Sequence, residues 1–146
     1  MKKKILLSMT FFAICIVGVL LLKKDVVAPV SEFKNETNVK SDLIRVFKPV
    51  SGEKISSPLK ISGEAHGTWF FEASFPIFLV DWDGKIIAQG IATAKGDWMT
   101  ENFVPFEAEL TFEKPSYGER GAIILKKDNP SGLLEHDDSL EISITF

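Results

Sequence analysis

From position 58 onward the chain alternates apolar and polar residues with a period of two. In PLKISGEAH, Leu59, Ile61, Gly63 and Ala65 share one side, and Lys60, Ser62, Glu64 and His66 share the other. FEAELTFE repeats the pattern with Phe106, Ala108, Leu110 and Phe112 opposite Glu107, Glu109, Thr111 and Glu113. SLEISITF sets Leu140, Ile142, Ile144 and Phe146 against Glu141, Ser143 and Thr145. Alternation of this kind marks strands with one buried and one wet face. Four less regular apolar runs, LIRVF (43–47), ASFPIFLVDW (73–82), KIIAQGIATA (85–94) and GAIILKK (121–127), bring the expected strands to seven. No helical stripe follows Leu22.

Turn residues punctuate these runs at Ser51-Gly52, Asp83-Gly84, Gly96-Asp97, Tyr117-Gly118 and Asn129 to Gly132. Asp83-Gly84 predicts a two-residue hairpin, whose central positions both take positive φ. Pro76 falls inside a strand expected to be central, where it has no N–H for the ladder, so a bulge is expected there. Seven short strands over residues 43–146 predict an all-β domain, an immunoglobulin-like two-sheet sandwich. The usual cysteine pair is absent, because the only cysteine is Cys15. The domain is therefore expected to be held by packing alone, without a disulfide.

Ahead of this domain, Ile5 to Leu22 is an uncharged run between Lys2-Lys3-Lys4 and Lys23-Lys24. As a helix it would extend roughly 27 Å, close to the ~30 Å hydrocarbon core of a bilayer. Residues 1–24 are thus expected to form a membrane anchor with its transmembrane helix at 5–22. Lysine placement puts the N-terminus in the cytoplasm and the domain outside the cytoplasmic membrane. Secretion after signal cleavage is the alternative, but the run is longer than an ordinary signal core and two lysines separate it from VVA at 26–28. Residues 25–42, polar and without periodicity, read as a flexible tether.

Charge follows the same boundary. From Leu43 onward there are 10 Lys and Arg against 16 Asp and Glu, a net of −6. That balance repels phosphate backbones and argues against nucleic acid as a partner.

SPLKISGEA (57–65), WFFEASFPIFLVDWDG (69–84), GDWM (96–99), FVPFEAELTF (103–112) and KKDNPSGLLEHDDSLEISITF (126–146) resemble one family. It is the bacterial spore germination immunoglobulin-like domain, the second of those associated with the GerMN germination-protein domain. The likeness runs from about Ile44 to Phe146. It implies a β-sandwich of the cell envelope that binds or organises other molecules, with no catalytic residue to carry over.

The residues offer little chemistry of their own. His66 and His136 are far apart, and EHDD (135–138) reads as a solvated loop rather than a metal site. Asp81-Trp82-Asp83-Gly84 echoes part of a calcium loop without its further ligands. Glu107, Glu109 and Glu113 share one strand face, where carboxylates keep a surface soluble and discourage edge pairing. No catalytic residue, cofactor or metal is expected. Strand alternation through WFFEASF places Trp69, Phe71, Ala73 and Phe75 in the core and leaves Phe70 on the other face with Glu72. Phe70 therefore joins Trp98 and Met99, which follow a turn, as a candidate partner surface. The leading expectation is an interaction or scaffolding module for another envelope protein. A cell-wall glycan-binding module is second, and a small envelope hydrolase third.

Overall fold

The computed structural model describes residues 40–146. The expected anchor at 5–22 and most of the tether lie outside the described residues. Among the described residues no helix is long and apolar enough to cross a membrane. Residues 40–42, placed in the tether by composition, form a turn into the first strand, with the N–H groups of Leu43 and Ile44 both on the Lys40 carbonyl at 2.9 Å.

Seven strands follow: β1 (Ile44–Lys48), β2 (Leu59–His66), β3 (Ser74–Asp81), β4 (Ile86–Ala94), β5 (Phe103–Leu110), β6 (Arg120–Lys126) and β7 (Ser139–Thr145). All pair antiparallel, in the order β1-β2-β5-β4-β3-β6-β7. The expectation of two separate sheets is corrected by that order, since hydrogen bonding runs through one continuous, nearly barrel-like sheet. Its weakest link is β4 to β5, paired only at Thr93 with Glu107 and Ala94 with Phe106. Here the sheet folds over, so that β1-β2-β5 faces β4-β3-β6-β7. Phe75 of β3 and Phe106 of β5 are separated by β4 in the sheet order, yet their ring centroids lie 5.0 Å apart at 77°. The inner faces therefore pack as in a sandwich.

The fold falls at β4 because that strand turns small residues inward. Ala88, Gly90 and Ala92 pair with Leu79, Ile77 and Phe75 of the core-facing side of β3. A Cβ on Gly90 would sit 2.5 Å from Leu110 Cδ2, so a larger side chain would drive the Leu110 side chain out of this contact. On the far side, residues 52–55 run beside β7. The Gly52 and Ile55 N–H groups donate to Ser143 and Thr145 carbonyls at 2.8 Å, and the Thr145 N–H donates to Glu53 at 3.0 Å. This parallel contact blunts the β7 edge, which would otherwise invite pairing with another chain.

Two local expectations change. Pairing of β3 with β4 is regular through Pro76, and the irregularity falls between Leu79 and Val80 instead. On its β6 side the β3 ladder begins only at Ile77. Pro76 thus sits past the end of one ladder, where a residue without an N–H needs no bulge.

WFFEASF is the second. Gly67–Trp69 is a 3-10 turn, and Glu72 and Ala73 take left-handed φ of 49° and 61°. Phe71 and Ser74 exchange backbone hydrogen bonds of 2.9 and 3.0 Å across those two residues. A period-two reading cannot pass through such a path. Trp69 and Phe70 are consecutive and both buried, while Phe71 is 40 % exposed. Both buried rings pack on Phe75, with Phe70 at 5.2 Å and Trp69 at 6.5 Å between centroids. The stretch is mainly core, but Phe70 rather than Phe71 supplies its third ring.

Candidate binding surface

The turn between β3 and β4 is built around one carboxylate. Asp81 ends β3 only 4 % exposed. Its Oδ1 accepts the backbone N–H of Asp83 at 3.0 Å and of Lys85 at 2.9 Å, and its Oδ2 accepts the Tyr117 hydroxyl at 3.2 Å. The Gly84 N–H returns to the Asp81 carbonyl, and the Asp81 N–H donates to Lys85. Only Gly84 has positive φ, 79°, so the hairpin is present but closes through a longer loop than the two-residue type expected. Asp81 is a structural group: its acceptors are spent on fixing this turn against the Tyr117 loop.

Burial by itself raises the Asp81 pKa, but the Lys85 and Asp83 N–H groups, the Tyr117 hydroxyl and the Lys85 charge together hold it below the ordinary 3.8. The folded protein thus takes up this proton less readily than the unfolded chain. The resulting stability is present above about pH 3.8 and is lost as pH falls through the lowered value. Urea midpoints measured from about pH 6 down to about pH 3 should fall more steeply for the parent chain than for Asp81→Asn. Parallel profiles would exclude this linkage.

The same turn presents Trp82, 62 % exposed. Its indole rests on Gly118, where an added Cβ would lie 2.6 Å from Cδ1 and 3.0 Å from Nε1. Gly118 also has a φ of 75°, so two independent constraints favour glycine there. Trp82 borders an open cleft of about 910 Å³ that runs from Tyr117–Arg120 over Val80 and Ala122 to Glu141.

The floor of the cleft, Val80, Ala122 and Ile124, continues into the outer face of β4-β3-β6, which is apolar. Val80 pairs with Ala122, Phe78 with Ile124 and with Gln89, and Pro76 with Ile91. Val80 and Ala122 are buried without joining the core cluster, so they cover each other on the outside. Ile86 and Ile91 on β4 are 53 % and 63 % exposed. The opposite outer face is polar. There Glu107 and Glu109 of β5 are exposed, with Glu107 paired to Lys95 at 2.7 Å and Glu109 in register with Lys60. Glu113 falls past the end of β5, so the three carboxylates do not share one strand.

The three expected surface residues separate. Met99 is 77 % exposed, Trp98 is half-buried against the core, and Phe70, 4 % exposed, drops out of any surface. Trp82, which the sequence places both at the end of the apolar run 73–82 and in the Asp81–Gly84 turn, is instead an exposed tryptophan just past the end of β3. EHDD forms an exposed 3-10 turn, Leu134–His136, and the loop beyond it. Asp137 there is tied to Asn129 at 2.8 Å and Lys126 at 3.4 Å. Among the described residues no three His, Cys, Asp or Glu side chains come together as a metal site would require.

The family model for the immunoglobulin-like domain of bacterial spore germination matches residues 43–132, more than half of the chain. The chain belongs to this family. No curated protein and no solved structure matches it. In this germination-type immunoglobulin-like domain the family match covers β1 to β6 and stops at Gly132. β7 lies beyond it, yet pairs with β6 along its whole length, from Lys126–Ser139 to Arg120–Thr145. The resemblance read from the sequence had extended to Phe146.

Proposed function

We infer that this chain is a non-enzymatic interaction module of the cell envelope. Its immunoglobulin-like domain contacts another envelope protein, carried outside the cytoplasmic membrane by an anchor at residues 5–22. The observation that carries the reading is the outer face of β4-β3-β6, where Ile86, Ile91, Phe78 and Ile124 occupy positions that an isolated domain gives to polar side chains. An apolar patch of this kind is what a protein partner covers. The acidic net charge and the family both favour a binding role over one at nucleic acid or a catalytic centre. A glycan-binding reading has one observation in its favour, the exposed and seated Trp82.

Photo-crosslinking in the native host, with the full chain, tests the protein reading. A photoreactive residue at Ile91 is expected to give a discrete protein adduct, and the same residue at Glu109 on the polar face is not. Absence of an adduct at Ile91, or identical adducts from both positions, would remove this reading.

A further inference from the structure

The geometry points to a second capacity, at the edge of the same face: the cleft beside Trp82, which meets that face at Ile124, is a site for a neutral saccharide, with the indole as its stacking platform. An exposed tryptophan on a mobile loop would lose side-chain freedom whenever it bound anything. Trp82 is already held. Its ring lies on the Gly118 backbone, and its turn is locked through Asp81 to Tyr117 on the facing loop. A platform ordered before the ligand arrives spares binding much of its entropic cost.

The surroundings select the class of ligand. The cleft has an apolar part, Trp82 with Val80 and Ala122, and a rim of Glu119, Arg120 and Glu141. Its size falls within the ~300–1,000 Å³ common for small-molecule sites. A wholly apolar ligand would strip water from the three charged side chains and return no hydrogen bonds. An anion would face two carboxylates, and a small cation would pair with them but leave Arg120 and the apolar floor of Val80 and Ala122 without a partner. A proline-rich segment would stack on the indole but offers only carbonyl acceptors, leaving Glu119 and Glu141 without donors. A pyranose ring has an apolar C–H face for the indole. Its hydroxyls both donate and accept, serving the carboxylates and Arg120 at once.

Isothermal titration of the full chain, held in a detergent without a sugar headgroup, provides the test. Chitotetraose and cellotetraose are the saccharide probes, and a decaproline peptide is the competitor class. At least one saccharide is expected to bind saturably. Trp82→Ala should weaken that binding at least tenfold while leaving the urea midpoint nearly unchanged, and Trp82→Phe should retain part of it. Ile91→Glu, outside the cleft lining, should bind the saccharide like the parent chain, which separates the cleft from the Ile91 end of the protein-binding face. The proposal is overturned if neither saccharide binds, if decaproline alone binds, or if Trp82→Ala binds saccharide undiminished. None of those results bears on the crosslink expected at Ile91.

Discussion

Replacing Phe75 with alanine is expected to destabilise the domain by about 3–5 kcal/mol, the range for emptying a buried phenylalanine site. Phe75 is fully buried and meets Trp69, Phe70 and Phe106 at 6.5, 5.2 and 5.0 Å between centroids. Those neighbours sit on two separate segments: Trp69 and Phe70 are consecutive, at the end of a 3-10 turn, and Phe106 lies on the strand across the fold of the sheet. No single backbone shift brings all three into the space left behind, so little of the cavity collapses. Domains of this size are stable by roughly 5–15 kcal/mol in total, and the described residues contain no disulfide to make up the loss. Urea unfolding followed by tryptophan fluorescence and circular dichroism measures the effect. Phe71→Ala, on the exposed ring next to the tight turn, should cost far less. A loss at Phe75 below about 1 kcal/mol, the size of an ordinary point substitution, would mean that the two halves of the sheet do not meet there.

Gly67→Ala is expected to have the next largest effect, about 1–3 kcal/mol or somewhat more, as overpacking against an immovable neighbour does. A Cβ at this position would lie 1.9 Å from the Thr100 carbonyl oxygen and 2.2 Å from that of Trp98. Both are backbone atoms, so no rotamer change relieves the collision and the 98–100 segment must move away. That segment is closed by the Thr100 N–H on the Trp98 carbonyl at 2.8 Å and holds Trp98 against the core. Its displacement should therefore shift tryptophan emission to the red as well as lower the urea midpoint. Gly96→Ala is the matched control, with nothing within 4 Å of the added Cβ. It should fall within about 0.5 kcal/mol of the parent, as open surface changes do. Equal effects at the two glycines would show that close approach is not what requires Gly67.

Most of the strand positions were readable because regular alternation is a local property. All seven expected runs overlap an observed strand; β2 and β7 end within a residue of where their alternation ends, whereas β5 starts at Phe103 and stops at Leu110, three residues ahead of its run at both ends. What failed was either non-local or concealed by residue type. One sheet or two depends on the two residue pairs joining β4 to β5, and nothing in either strand alone declares them. The small inward residues of β4 were a signal, but only once the facing Leu110 is known. The tight turn at Glu72-Ala73 was hidden because neither residue is glycine or asparagine, the usual markers of left-handed backbone. Phe70 and Phe71 exchanged places as a result. The apolar outer face was legible in principle. FPIFLV and AIIL lack alternation, and a continuous apolar run means both faces of the strand are apolar. Trp82 was concealed because the apolar run 73–82 carries on through it, whereas β3 ends at Asp81.

The contact of residues 52–55 with β7 has a mechanical consequence. These segments run parallel, and they join the part of the domain nearest the described N-terminus to its last strand. A load entering before β1 and leaving at Phe146 would, once β1 had parted from β2, slide the two segments past each other along their length. Their backbone bonds at Gly52, Ile55 and Thr145 would then be sheared together rather than unzipped in turn.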